Sequence, residues 1–109
     1  MKAPRVTSEF WVSAYKRVLE DHAIPMFVVQ KGNAEAGAII VRISDLQGMS
    51  KIFVQSYDLE GDRRWVELAA GEDAAIEKVI LRQKAVDADL WVLEVETRHG
   101  HHYLDVVSS

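Results

Sequence analysis

The sequence contains no cysteine, only two prolines and no long apolar run, and each of these absences excludes a class of protein. Without cysteine, the 109-residue chain has no disulfide framework, no cysteine nucleophile and no thiolate metal site. Its longest apolar runs, such as residues 38–41 and 90–93, fall far below the roughly 20 residues that span a bilayer. Residues 1–9 are polar and charged and lack the apolar core of a secretory signal, so we expect a cytoplasmic protein without membrane contact.

The charge of the chain is mildly acidic and unevenly distributed. Thirteen Lys and Arg residues against seventeen Asp and Glu residues give a net charge of −4, which argues against a general nucleic-acid-binding protein. The net charge is +2 over residues 1–31, −2 over residues 32–71 and −4 over residues 72–109. A basic front and an acidic back favour either pairing within the domain or antiparallel self-association.

The chain begins with a predicted helix whose apolar face is unusually wide. Thr7 or Ser8 is placed to cap it, and Pro25 prevents it from continuing far beyond residue 22. At 100° per residue its apolar side chains fill an arc of about 200°, more than a one-sided surface helix needs. Either the helix is deeply buried, or Trp11 and Tyr15 extend onto a partner and are interface candidates.

Four strand-like segments follow, at residues 26–30, 38–43, 51–57 and 63–68, and the short loops between them predict antiparallel hairpins. The first segment is continuously apolar, which is typical of a central strand or of one covered on both faces. The loop after it runs from Gly32 to Gly37, where we expect glycine to supply a positive φ angle.

A second helix of about a dozen residues begins near Glu72, and Leu81 lies off its apolar stripe as a further interface candidate. Residues 90–96 then alternate like a strand, and a turn at 99–100 predicts a return strand over 102–107. The fold class predicted is α+β: an N-terminal helix, an antiparallel β-meander of about four strands, a second helix and a C-terminal β-hairpin. We predict one domain over residues 1–109, with flexible ends at 1–6 and 107–109.

Two groups of residues are candidates for ligand binding. Arg63, Arg64 and Trp65 could bind a phosphate or carboxylate and stack on a ring. The alternative is that the two arginines form an internal ion-pair network with the neighbouring acidic residues Glu60, Asp62 and Glu67. Near the junction of the second helix and the last strand, a polar cluster could bind a ligand or form a rigid corner: Arg82, Gln83, Asp87 and Asp89.

The terminal hairpin also offers a metal hypothesis. A two-residue turn at 99–100 places Glu94 opposite Asp105, and like charges at opposed positions repel each other. With His101 nearby, a divalent metal could relieve that repulsion, while a solvated face in another register is the alternative. The glycine-containing loop at 32–37 lacks the lysine of a phosphate loop, and no Gly-x-Ser-x-Gly motif is present. We therefore predict no cofactor and assign no catalytic residue.

Several of these segments together resemble a family of short bacterial proteins designated only as a domain of unknown function. The resemblance spans nearly the whole chain, and its most specific part is Asp-x-Asp-Leu-Trp-Val at residues 87–92, where the family commonly has proline at the position of Ala88. It is carried by Trp11-Val12, Ala14-Tyr15, Ile24-Pro25, Ala36-Gly37-Ala38, Arg64-Trp65, Arg82-Gln83 and Asp87–Glu96. The resemblance implies a compact α+β domain and brings no activity, substrate or catalytic residue with it.

The sequence therefore predicts a non-catalytic interaction or binding domain that self-associates as a homodimer or binds another protein. The alternative is a small enzyme or ligand-binding protein that uses the Arg63–Trp65 group or a metal on the terminal hairpin.

Overall fold

A computed structural model describes residues 6–107, and its helices and strands confirm the α+β class. The elements in chain order are α1 (Ser8–Asp21), β1 (Met26–Gln30), β2 (Ile39–Ser44), β3 (Met49–Tyr57), β4 (Arg63–Glu72), α2 (Asp73–Val86) and β5 (Trp91–Glu96). Within this part of the chain, neither helix has the length and apolar character needed to cross a membrane. The flexible ends predicted from the sequence fall largely on residues 1–5 and 108–109, which lie outside the described residues.

The described strands form one mixed sheet in the order β1-β5-β2-β3-β4. The antiparallel hairpins predicted for β2, β3 and β4 are present. The predicted pairing of β1 with β2 is wrong, because β5 lies between them, antiparallel to β1 and parallel to β2. A parallel pair requires a crossover connection, and α2 supplies it between β4 and β5.

The continuously apolar strand β1 is an edge strand and not a central one. Phe27, Val28 and Val29 are 50%, 44% and 55% exposed, whereas Met26 at its start is buried. The apolar run therefore does not mark coverage on both faces, as the sequence suggested. It marks apolar surface at the edge of the sheet.

The predicted C-terminal hairpin does not form, because both edges of β5 are already occupied by β1 and β2. Among the described residues after β5 there is no further strand, although residues 98–99 do form a turn before Gly100. This C-terminal segment, residues 97–107, instead packs against α1. The Tyr15 hydroxyl donates to the carbonyl of His102 at 2.8 Å, and Trp11 Nε1 donates to the carbonyl of Val107 at 3.1 Å.

Two apolar clusters hold α1 and α2 against opposite faces of the sheet. The buried side chains of the α1 cluster are Trp11, Val12, Tyr15, Leu19, Met26, Ile39, Val41, Ile43, Trp91, Leu93, Val95 and Leu104. Those of the α2 cluster are Ile40, Ile52, Ile76, Ile80, Leu90 and Val92. Alternate residues of β2 and β5 enter different clusters, as the two-residue period of a strand requires.

The loop between β1 and β2 packs so closely on the start of β5 that two glycines are needed. A Cβ atom on Gly37 would lie 2.6 Å from the carbonyl oxygen of Asp89, and one on Gly32 would overlap the same oxygen. Neither glycine is among the residues with a positive φ angle. The sequence-based reason for these glycines was therefore wrong, since close approach of two backbones requires them.

Candidate functional site

A cleft of about 810 Å³ lies beside the β3–β4 hairpin. The last pair of that hairpin is Tyr57 with Arg63, whereas β2 begins to pair with β3 only at Ile40 opposite Val54. The end of the hairpin therefore projects beyond β2 and forms one wall. The start of α1, the loop at 35–38 and the C-terminal end of α2 complete the cleft.

The polar groups of this cleft come from separate elements and carry both signs of charge. Arg63 lies on the hairpin wall, Glu35 lies on the loop and Asp87 lies just after α2. Gln55 and Gln83 add amide groups that can donate and accept. A volume in this range is typical of ligand sites, and mixed polar groups suit a ligand with both donors and acceptors.

The cleft brings together two of the six predicted ligand residues, Arg63 and Asp87. Trp65 is not one of its lining residues, because its indole packs against Trp11 with ring centroids 5.0 Å apart. Arg64 and Arg82 are exposed and lie outside the cleft lining, and so does Asp89.

The aspartates of the resemblance segment take part in a hydrogen-bonded corner before β5. Asp87 accepts a hydrogen bond from the backbone N–H of Asp89 at 2.9 Å, and the Asp89 carbonyl accepts one from Asn33 at 2.9 Å. The carbonyl of Asn33 in turn accepts a hydrogen bond from Trp91 Nε1 at 2.8 Å. Through these three hydrogen bonds the corner joins the β1–β2 loop to the first residue of β5.

The predicted metal site is not assembled. Glu94 lies within the sheet, where its carboxylate is 3.7 Å from Arg42 Nε, whereas His101 and Asp105 lie in the C-terminal segment. The prediction that Glu94 lies opposite Asp105 was wrong, because the hairpin that would pair them does not form. Within residues 6–107, the grouping of three possible metal ligands falls instead in the acidic β3–β4 turn, where Asp58 accepts from the N–H groups of Glu60 and Asp62 at 2.9 Å.

The interface candidates divide into two kinds. Trp11 and Tyr15 are 2% and 0% exposed, so the expectation that they extend onto a partner is wrong. The C-terminal segment and Trp65 account for the wide apolar face of α1. Leu81 is 55% exposed on α2 and stays a prediction.

Sequence reasoning missed a charged array on the α2 face of the sheet. Arg42 lies 2.7 Å from Glu77, 3.4 Å from Asp73 and 3.7 Å from Glu94, and only 13% of its side chain is exposed. It also donates to Ser50 at 3.3 Å. The sequence feature that could have identified this array is the single arginine within the apolar run of β2.

A second, smaller cavity of about 310 Å³ was also missed, which we call the His102 cavity. It lies between the C-terminal segment and β3, and Lys51, Phe53, Arg98 and His102 are among its lining residues. The His102 ring lies 4.7 Å from that of Phe53, and its Nδ1 accepts a hydrogen bond from Leu104 N–H at 3.1 Å. Burial lowers the pKa of His102, Asp105 opposes that shift, and Lys51 and His101 add to it.

Comparison with known proteins confirms the resemblance. A crystal structure of a DUF1491 family protein from Caulobacter crescentus CB15 aligns with a TM-score of 0.86 and 29% identity over 92% of this chain and 95% of that one. An NMR structure of a DUF1491 family protein from the same organism gives 0.80 and 28%, covering 94% of each chain. A solution structure of an A. tumefaciens protein gives 0.74 and 30% over 86% of this chain and 87% of that one. The curated proteins contain no match. The family model described as a protein of unknown function (DUF1491) matches residues 6–105, so this chain belongs to the DUF1491 family.

Proposed function

We propose that this protein is a non-catalytic interaction domain that self-associates, and that two copies meet through the edge strand β1. The observation that carries this proposal is the row of half-exposed apolar side chains in the middle of that strand, Phe27, Val28 and Val29. An edge strand presents backbone donors and acceptors to another strand, and apolar side chains on it add the driving force for pairing.

The strand is complementary to itself. In an antiparallel pair centred on Val28, the two Val28 residues face each other and Phe27 faces Val29 of the other copy. No charged side chain lies within Met26–Gln30, so this pairing opposes no like charges. Pro25 and Lys31 limit the contact to five residues, which favours one register over sliding.

A closed dimer requires that only one edge of the sheet pairs with another copy, and the opposite edge, strand β4, is unsuited to pairing. Strand β4 carries charged residues along its length, including Arg64 and Glu67, whereas β1 carries none. Charged side chains are one of the devices by which natural edge strands avoid pairing. Pairing at β1 alone joins two copies about a two-fold axis and stops there.

Phe27 and the exposed Leu81 of α2 lie on the same face of the sheet. Phe27 pairs with Glu94, whose carboxylate points to the Arg42 array on the α2 side of the sheet. Leu81 lies one helical turn beyond Glu77, another member of that array, and so on the same side of α2. A five-residue edge is small for a stable interface, so we expect a weak dimer that depends on concentration.

The test is the substitution Val28→Lys, which places two ammonium groups opposite each other in the proposed pair. Sedimentation equilibrium of the unmodified protein should show a mass that rises with concentration from 12.3 kDa towards twice that value. The Val28→Lys protein should keep the monomer mass throughout. The matched control is Val66→Lys on the β4 edge, where the side chain is 41% exposed, and it should dimerise like the unmodified protein.

Three results would overturn the proposal. These are a monomer mass for the unmodified protein at every concentration, unchanged association of Val28→Lys, and loss of association in Val66→Lys alone. Circular dichroism of all three proteins verifies that each comparison is made between folded chains.

Binding of a small polar ligand in the cleft is the second candidate function, favoured by a lining that includes both Arg63 and Asp87. An anionic ligand group would meet the Arg63 guanidinium, as arginine geometry favours. Titration with inorganic phosphate, followed by amide chemical shifts, should perturb residues 35–38 and 55–57 in a saturable manner. Arg63→Met should abolish that response and Arg64→Met should retain it; the same response in both variants excludes this site.

A further inference from the structure

The His102 cavity has a built apolar interior. Ile43, Met49 and Phe53 line it from β2 and β3, and Ile43 is almost fully buried. Its volume of about 310 Å³ lies at the lower end of the range seen for small-ligand sites. The C-terminal segment folds back over β3 and forms one wall of the cavity, where the ring of His102 contacts that of Phe53.

Two cationic side chains and one carboxylate line this cavity. Lys51 and Arg98 line it, and Arg98 has no ion pair within the described part of the chain. Asp45 also lines it, but its Oδ1 already accepts from the N–H groups of Gln47 and Met49 at 2.7 and 3.1 Å. The pairing of Lys51 with Glu67 at 3.6 Å is between two half-exposed side chains and is therefore weak.

The imidazole of His102 adds an oriented donor. Because Nδ1 accepts the Leu104 N–H, the neutral ring carries its proton on Nε2. The carbonyl of the same residue is fixed by the Tyr15 hydroxyl at 2.8 Å. Contacts to α1, to β3 and within the C-terminal segment thus hold the ring in one position.

We propose that the His102 cavity binds a small organic carboxylate with a compact apolar body. The carboxylate would meet Arg98 and Lys51 at the polar side and take a hydrogen bond from His102. The body would pack on Ile43, Met49 and Phe53. Inorganic phosphate is a poorer fit, because it has no apolar part that could pack on the lining. This site is separate from the β1 edge and does not depend on the proposed self-association.

The probe for this proposal is benzoate, with benzyl alcohol as the uncharged probe of the same shape and inorganic phosphate as the inorganic anion. In amide-detected titrations of the whole chain, benzoate should shift the signals of residues 97–102 and Lys51 in a saturable manner. Benzyl alcohol and phosphate should bind at least tenfold more weakly, which is about the contribution of one charge-assisted hydrogen bond.

Arg98→Met keeps the apolar stem and removes the charge, so it should weaken benzoate binding by about tenfold or more. Arg82→Met is the matched control, because Arg82 is exposed and lies outside the cavity, and it should bind benzoate normally. Lys51→Met is the second variant, with the same expected loss, and decides the matter if Arg98→Met fails to fold. The proposal is overturned if benzoate does not saturate, if phosphate or benzyl alcohol binds as well, or if removal of either charge leaves benzoate affinity unchanged.

Discussion

The hydroxyl group of Tyr15 donates a hydrogen bond to the backbone carbonyl of His102 at 2.8 Å, across 87 residues of sequence. This bond fastens the C-terminal segment to the first helix of the domain. Burial raises the pKa of Tyr15, so the hydroxyl remains a donor throughout the physiological pH range.

We expect Tyr15→Phe to lower the free energy of unfolding by about 1–2 kcal/mol, because the substitution leaves the His102 carbonyl without this donor. Urea denaturation measures the change. Tyr103→Phe is the control, since the Tyr103 ring stacks on His22 at 4.0 Å and that stack does not need the hydroxyl. Equal losses in the two variants would contradict a specific role for the Tyr15 bond.

Stability should fall in mildly acidic solution because of His102. Its pKa in the folded chain lies below the ordinary value of 6.5, mainly through burial, so the unfolded chain binds more protons as the pH falls through that value. The free energy of unfolding should therefore decrease as the pH falls from about 6.5, until the pH lies below the folded-state pKa of His102.

Urea denaturation at a series of pH values measures this dependence, and His102→Gln should flatten it. Glutamine can still accept the Leu104 N–H but does not titrate. His99→Gln, at an exposed position, should keep the slope of the unmodified protein. A slope that survives His102→Gln would assign the dependence to other groups.

Close backbone contact predicts that Gly37→Ala is strongly destabilising. The new methyl group would meet the Asp89 carbonyl at 2.6 Å and the backbone of Asn33 at 2.8 Å, and no flexible side chain can move aside. We expect a loss of at least about 2 kcal/mol in the free energy of unfolding. Gly71→Ala is the matched control, because a Cβ there meets nothing within 4 Å. Thermal denaturation of both variants should separate them, and a Gly37→Ala protein as stable as Gly71→Ala would contradict the packing.

The Arg42 array predicts a salt-dependent defect. Removal of the cation in Arg42→Met leaves Asp73, Glu77 and Glu94 without their shared partner, and we expect a loss of about 1–3 kcal/mol. Added salt should recover part of it by screening the carboxylates from one another. Arg17→Met serves as control, since the exposed Arg17–Asp21 pair contributes well under about 1 kcal/mol. Denaturation at low and high salt tests both statements, and a salt-independent loss would point to packing instead of charge.

Local patterns predicted both helices and five strands, because these depend on neighbouring residues, but the return strand predicted at 102–107 does not form. Thr7 does cap α1 through its hydroxyl oxygen, and the apolar run at Met26–Gln30 is a strand with those bounds. The place of that strand in the sheet could not be predicted, since an apolar run is compatible with a central strand and with an edge that binds a partner. Its position depends on β5, whose Val95 pairs with Met26 from far along the chain.

In the candidate site, too, residue types could be predicted from the sequence, whereas the positions of the residues depend on the fold. Arg63 and Asp87 were identified by residue type, but their presence in one cleft depends on the hairpin projecting beyond β2. His102 was not among the candidate residues identified from the sequence. Its ring lies beside Phe53 and accepts a hydrogen bond from the Leu104 N–H. The C-terminal segment folds back to this position because β5 has no free edge with which it could form a hairpin.

The position of β5 between β1 and β2 has a consequence for synthesis of the protein in the cell. Until residue 96 has left the ribosome, β1 and β2 have no strand to join them, although β2, β3 and β4 can already pair. Insertion of the last strand closes contacts of long sequence separation, which slow folding. We therefore expect the nascent chain to complete its fold only after translation has passed β5, with the apolar β1 segment accessible to chaperones until then.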